Sequence, residues 1–233
     1  MVALWAVPRS ASTAFERMVA ERGDLAVVSE PFSIPYYDGP EARSTRFGCT
    51  APDATFAAVR RQLLHGGQEP VFVKDMTYQV LPALDGELID AVNHTVLVRD
   101  PAYSLPSFAK QWPDFTSDEA GFDAAVEVVR RLEAREATLA VIDTADLRQN
   151  PVGLLEAWCD HAGLTFDPAA LRWEPGMAPG WERWEDWHRT TAATTGFLPP
   201  EDAPPPVSDP HLADAIAAAT PSYAALWERR LRP

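Results

Sequence analysis

Five short apolar runs, each ended by charged or hydroxyl residues and followed by a helix-patterned stretch, most constrain what this chain can fold into. Residues 2–7, 25–29, 71–73, 95–98 and 139–142 read as strands, too short and too uniformly apolar for helices. Between them, 12–22 carries Phe15, Met18 and Val19 at helical spacing and stops at Gly23. Residues 53–65 form a second helical pattern with Asp53 as cap candidate, and 118–135 a long amphipathic one through Phe122, Val126, Val129 and Leu132. A fourth, 151–162, opens on proline and is followed by Gly163, and a last helix is expected over 211–232. Residues 35–52 read as loop, and 173–206, rich in Trp, Thr and Pro, as a long functional loop or lid. Such alternation predicts a three-layer α/β fold, a parallel sheet of about five strands covered by helices on both faces. A single domain over 1–233 is expected.

Parallel sheets gather ligands beyond the carboxyl ends of their strands. At those ends stand Pro8-Arg9-Ser10, Ser29-Glu30, Lys74-Asp75 and Arg99-Asp100, which puts two arginines, a lysine and a glutamate along one rim. The first end runs through PRSAST (8–13) into a helix, whose free N–H groups favour an anion. Ser10, Ser12 and Thr13 add hydroxyls and Arg9 a charged fork, without the GxxxxGK[ST] pattern of a nucleoside-triphosphate loop. The same residues also suit a turn before a helix capped by Ser10 or Ser12, so both readings stand at this point.

A formal net charge of −14 argues against nucleic acid or an anionic membrane as a large-area partner, while leaving room for a small anionic ligand. Lys74 and Lys110 are the only lysines among 20 basic residues. Two cysteines without motif spacing, and no His/Cys/carboxylate cluster, argue against a disulfide scaffold or a metal site. No apolar run approaches the roughly 20 residues of a membrane helix and no signal peptide is evident, so a cytoplasmic protein is expected.

In this order the segments resemble the sulfotransferases that use 3′-phosphoadenosine 5′-phosphosulfate (PAPS). PRSAST is similar to their 5′-phosphosulfate loop. VLVRDPAYSLPSFAK (96–110) is similar to their 3′-phosphate motif, a strand ending in Arg99 with Ser107 eight positions on. DLRQNPVGLLEAWCDHAGL (146–164) has the family's Asp-Leu, Pro-initiated helix and Gly-Leu. The pattern is nearest to tyrosylprotein sulfotransferases and small bacterial sulfotransferases. The former carry PRSGTT, a catalytic Glu twenty-one residues past its Arg, here Glu30, and a Lys-Asp-Pro segment similar to Lys74-Asp75-Met76. Cytosolic steroid and phenol enzymes instead place a His base where this chain has Met76.

The resemblance implies a P-loop NTPase-like fold and metal-free, in-line sulfuryl transfer from PAPS, leaving PAP, to a hydroxyl or amine of a small-molecule acceptor; length and composition point to a bacterial metabolite as that acceptor. It implies Glu30 as general base, with Arg9 and Lys74 stabilising the leaving phosphate. Cofactor contacts are expected from Arg9, Ser10, Ala11, Ser12, Thr13, Arg99 and Ser107, and from Thr194, Thr195 and Gly196 in TTAATTGF (190–197). Phe32, Tyr36, Tyr37 and Trp184 are expected to shape the acceptor pocket. Trp181, Trp184 and Trp187 recur every three residues, suiting either a lid helix packed on the core or an aromatic wall, and His188 is expected at the surface or in packing. Three departures stand out: Ala11 replaces the family's Gly, Ala14 replaces an adenine-stacking Trp, and a late Arg-Lys-Gly segment is missing. Two other classes remain, a non-catalytic PAPS- or PAP-binding regulator and an ATP-using phosphotransferase, and self-association is open.

Overall fold

In the computed structural model, which describes residues 1–67 and 70–232, five strands form an all-parallel sheet. They are β1 (Val2–Ala6), β2 (Ala26–Ser29), β3 (Val71–Met76), β4 (Asn93–Val98) and β5 (Leu139–Asp143), in the order β2-β3-β1-β4-β5. Every residue of β1 is buried, as expected of a central strand with both faces covered. In register, Leu4 lies opposite both Lys74 and Thr95.

The first helices are α1 (Ser12–Arg22), α2 (Ser33–Tyr37), α3 (Phe56–His65), α4 (Thr77–Val80), α5 (Gly86–Asp90) and α6 (Pro101–Ala109). They are followed by α7 (Ser117–Ala120), α8 (Phe122–Glu133), α9 (Thr144–Gln149), α10 (Pro151–Ala162), α11 (Glu185–Ala192) and α12 (Pro210–Trp227). α1 packs on β2 and β3, whereas α12 packs on α6, α8 and β5. From β1 the chain crosses toward β2, and from β4 it crosses the other way toward β5. The carboxyl ends of β1 and β4 therefore diverge at a topological switch point, where open parallel sheets form their crevice.

Several local expectations change. The helix expected over 118–135 is two: Gly121, at φ 79°, ends α7 and starts α8, and Thr116 and Glu119 cap α7 reciprocally. Thr55 rather than Asp53 caps α3, accepting the Ala58 N–H at 3.1 Å. The expected loop at 35–52 begins inside α2, and 173–206 contains α11. The third strand runs on through Met76, so Lys74 and Asp75 lie within it instead of beyond it. Hydrogen bonding to β1 and β2 continues past the apolar residues, and the polar pair is carried into the interior.

Candidate active site

The loop after β1 is shaped by backbone conformations that L-residues rarely take. Arg9 has φ 61° and Ala11 φ 67°, both left-handed. Two ties hold it there: the Ser10 hydroxyl donates to the Val7 carbonyl at 2.7 Å, and the Thr144 hydroxyl reaches the Ser10 carbonyl at 2.7 Å and that of Val98 at 2.8 Å. Ala11 offers no side-chain cap, so the N-terminus of α1 faces the cleft with its first N–H groups unclaimed by a capping side chain. Capping by Ser10 or Ser12 is not what the loop does.

Arg9 reaches across this opening. Its Nε donates to Ser107 Oγ at 3.1 Å and its Nη1 to the Trp187 carbonyl at 3.1 Å. Burial, and then the charge of Arg99, lower its pKa. Arg99 Nη1 donates to the Arg9 carbonyl at 2.7 Å, joining the two sides of the switch point. Its Nη2 meets Glu201, and Arg148 of α9 reaches the same carboxylate at 2.9 Å. Two arginines thus share one half-exposed carboxylate, and Arg148 Nε is buried without a hydrogen-bond partner. Burial first, and then Arg99, lower the Arg148 pKa, with Glu201 opposing them.

Glu30 sits at φ 47°, where β2 turns into α2. Its N–H donates to the Lys74 carbonyl at 2.7 Å, and its own carbonyl accepts from the Ser33 hydroxyl at 2.6 Å. The Lys74 ammonium, 0% exposed, is paired with Glu30 and lies 3.3 Å from Glu16 on α1. Burial alone would lower the Lys74 pKa, but the two carboxylates outweigh it and raise it. Glu16 also accepts from Trp181 Nε1 at 3.0 Å and from the Ser29 hydroxyl at 3.2 Å. Next to this group burial, and then Glu30, hold the Asp75 carboxyl well above its usual range, although the Phe32 and Met76 N–H groups donate to it at 2.7 and 2.8 Å.

Arg9, Ala11, Ser12, Thr13, Glu30, Arg99, Trp184, Thr194 and Gly196 line one cleft of about 960 Å³, its open mouth included. The other expected site residues do not line it. Ser10 is tied to its own loop, and Ser107 is reached only through Arg9. Lys74 is sealed beneath Glu30, and Thr195 offers its carbonyl to the Trp173 N–H at 3.3 Å. Phe32, Tyr36 and Tyr37 are buried in the core, Tyr37 with its hydroxyl 3.0 Å from that of Tyr78. The Thr194 hydroxyl donates to the Thr191 carbonyl at 2.7 Å and accepts from Trp173 Nε1 at 3.2 Å, so it has no free donor.

The tryptophan triplet divides between its two readings. Trp181 is buried against Glu16, while Trp184 and Trp187 line the cleft. His188 lines the cleft as well, its Nδ1 3.1 Å from the Thr13 hydroxyl and its ring 4.9 Å from that of Trp181. Burial, then Lys74 and Arg9, push its pKa down to about 3, so it is neutral. Sequence reasoning missed Arg148, Glu16 and Gln79. Arg148 gave only a weak signal, since it lies within the helix after the fifth strand and not at the strand end as Arg99 does. Glu16 carried no signal, being one polar residue on a helix, and it becomes special only when α1 packs over β3.

Comparison with known proteins agrees with this architecture. The family described as "Sulfotransferase domain" matches residues 1–230. The chain belongs to that sulfotransferase family. The sulfotransferase domain of the Synechococcus PCC 7002 olefin synthase aligns over 100% of this chain and 95% of its own, with a TM-score of 0.57 at 16% identity. The sulfotransferase domain from the curacin biosynthetic pathway aligns over 100% and 98%, with a TM-score of 0.54 at 15% identity. Both likenesses establish the fold, a five-stranded parallel sulfotransferase sheet. Two curated Arabidopsis thaliana proteins, branched-chain-amino-acid aminotransferase-like proteins 2 and 1, are 29% and 30% identical over 86% of this chain. The sulfotransferase chain spans only 36% and 37% of their lengths. Among the described residues, no helix is long and apolar enough to cross a membrane.

Proposed function

We propose that this sulfotransferase moves a sulfuryl group from PAPS to a hydroxyl of a small-molecule acceptor, with Glu30 as general base. The observation that carries the reading is the shared cleft: Glu30 on one wall faces the same space as Arg9 and the uncapped start of α1, with Arg99 and Arg148 farther along. This donor set suits an oxyanion-rich nucleotide. Planar guanidinium forks recognise phosphate bidentately, and the unpartnered Nε of Arg148 leaves a donor to spare.

Bound PAPS would supply an activated sulfuryl group on a phosphate leaving group. Arg9 and the α1 amides would hold its 5′ side, and Arg99 and Arg148 its 3′-phosphate, in exchange for Glu201. Ser107 orients Arg9 by accepting from Nε. Glu30 accepts the acceptor's hydroxyl proton, a role general bases fill at roughly 10²–10⁴-fold in rate. Lys74 acts from behind: held charged by Glu16, it orients the Glu30 carboxylate toward the cleft. Charge stabilisation in this water-poor wall comes from fixed donors, which need no reorganisation during reaction.

Calorimetric titration with 3′,5′-ADP, 5′-AMP and magnesium-ATP tests the nucleotide. Loss of the 3′-phosphate should weaken binding at least about tenfold, roughly 1.4 kcal/mol. Tightest binding of magnesium-ATP refutes the reading. Glu30→Gln should leave 3′,5′-ADP affinity unchanged while transfer falls by about 10²-fold or more, and full transfer in that variant removes Glu30 as base.

A further inference from the structure

On its aromatic side the cleft changes character. Beyond Glu30 its wall is made by Met76, Tyr78, Phe108, Trp112, Trp184 and Trp187. The rings brace one another edge to face: Trp112 stands 4.9 Å from Trp187 and 6.0 Å from Trp184, at interplanar angles of 79° and 74°. Such a wall is rigid and accepts a flat apolar body. Among the described residues, two polar atoms in this part of the cleft are buried without a hydrogen-bond partner, Trp184 Nε1 and Gln79 Oε1. Gln79, 1% exposed, lines the cleft, and its Nε2 donates to the Tyr78 hydroxyl at 3.3 Å. The Tyr78 hydroxyl is in turn 3.0 Å from that of Tyr37. The Gln79 carbonyl oxygen is buried without a hydrogen-bond partner among the described residues, a costly state that an ordered water or a donor on a ligand relieves.

Resting on the transfer reading above, we infer that the acceptor is a neutral aromatic molecule with two donor groups: one hydroxyl presented to Glu30, and a second O–H or N–H donated to the Gln79 carbonyl. The wall itself carries no charge. Each of its tryptophan rings already faces an arginine: Arg46 at 4.1 Å from the Trp112 ring centre and Arg183 at 5.0 Å from that of Trp184, both outside the cleft, and Arg9, on the cleft wall, at 5.7 Å from that of Trp187. A cationic acceptor would compete with them for the same rings. Gln79 thus acts as a specificity residue: it leaves the proton transfer at Glu30 alone and selects what sits there.

Binding of three probes to the protein saturated with 3′,5′-ADP, read by calorimetry, tests the inference. The probes are 2,6-dihydroxynaphthalene, 6-methoxy-2-naphthol, which keeps the ring and one hydroxyl but lacks the second donor, and choline. The diol should bind about fivefold or more tighter than the methyl ether, and choline weakest. In Gln79→Leu and Gln79→Met the diol should fall to the level of the ether while the ether is unchanged. Equal binding of diol and ether by the wild type overturns the second donor, without need of a folded variant. Choline binding as well as the diol overturns the neutral aromatic class. Retention of the diol preference in both variants overturns Gln79 as its origin. If instead 3′,5′-ADP itself fails to bind, it is the transfer reading that fails, and the same probes titrated without nucleotide still report on the wall.

Discussion

Ala11→Gly is the substitution whose outcome follows most directly from the backbone. Ala11 sits at φ 67°, ψ 19°, in the left-handed region, at the entrance of α1. For an L-residue that conformation costs roughly 1–2 kcal/mol, because Cβ crowds the following carbonyl. Glycine escapes the clash but carries more freedom in the unfolded chain, which returns roughly 0.5–1 kcal/mol. The balance is a stabilisation of about 0.5–1 kcal/mol. For a chain of 233 residues each kcal/mol moves the midpoint by about 2–4 °C, so Tm should rise by about 1–4 °C. Thermal unfolding and a urea titration at unchanged m-value measure it, and 3′,5′-ADP affinity should hold, because the lost methyl makes no polar contact. Ala11→Val, β-branched where φ is positive, should lower Tm clearly. An unchanged or lowered Tm in Ala11→Gly refutes the idea that this loop stores strain. Arg9 at φ 61° and Glu30 at φ 47° share the habit, so that result would weaken the same argument at both.

Two further predictions concern charge. Glu201→Gln should tighten 3′,5′-ADP by about three- to tenfold and leave 5′-AMP unchanged, since it removes a carboxylate that competes for Arg99 and Arg148. Arg148→Ala should weaken 3′,5′-ADP about tenfold or more with little effect on 5′-AMP, and equal weakening of both would take Arg148 off the 3′-phosphate. The third is a pH dependence. His188 is held neutral in the folded state, its pKa down to about 3 through burial and the charges of Lys74 and Arg9, while in the unfolded chain it titrates near 6.5. As pH falls below about 6.5 the unfolded state takes up a proton that the folded state refuses, so stability present at neutral pH is lost on acidification. Between pH 6 and 4 the wild type should therefore lose about 1.4 kcal/mol per pH unit more than His188→Gln, read from urea midpoints, and parallel curves would refute it.

What could be read from residues alone was whatever depends on local order. Alternating apolar runs and helix patterns specify a parallel α/β sheet. Because strand ends in such a sheet share one rim, Arg9, Glu30 and Arg99 were bound to converge there whatever the packing details. Gly23 and Gly163 stop their helices at the expected residues, because a left-handed C-terminal glycine is a local device. Packing decided the rest. Lys74 looked like a strand terminus, but the register of β3 with β1 and β2 draws it inside, where only Glu16, brought over by α1, lets a second carboxylate share its charge. Tyr36 and Tyr37 looked like pocket residues by their nearness to Glu30, yet α2 turns them into the core. Trp184 and Trp187 were joined by their spacing, but Trp112 comes from a distant segment and no spacing rule brings it to them. Local hydrogen bonding and hydrophobic period are written along the chain. The burial of a charge and the partners that make it tolerable arise only when distant segments exclude water together.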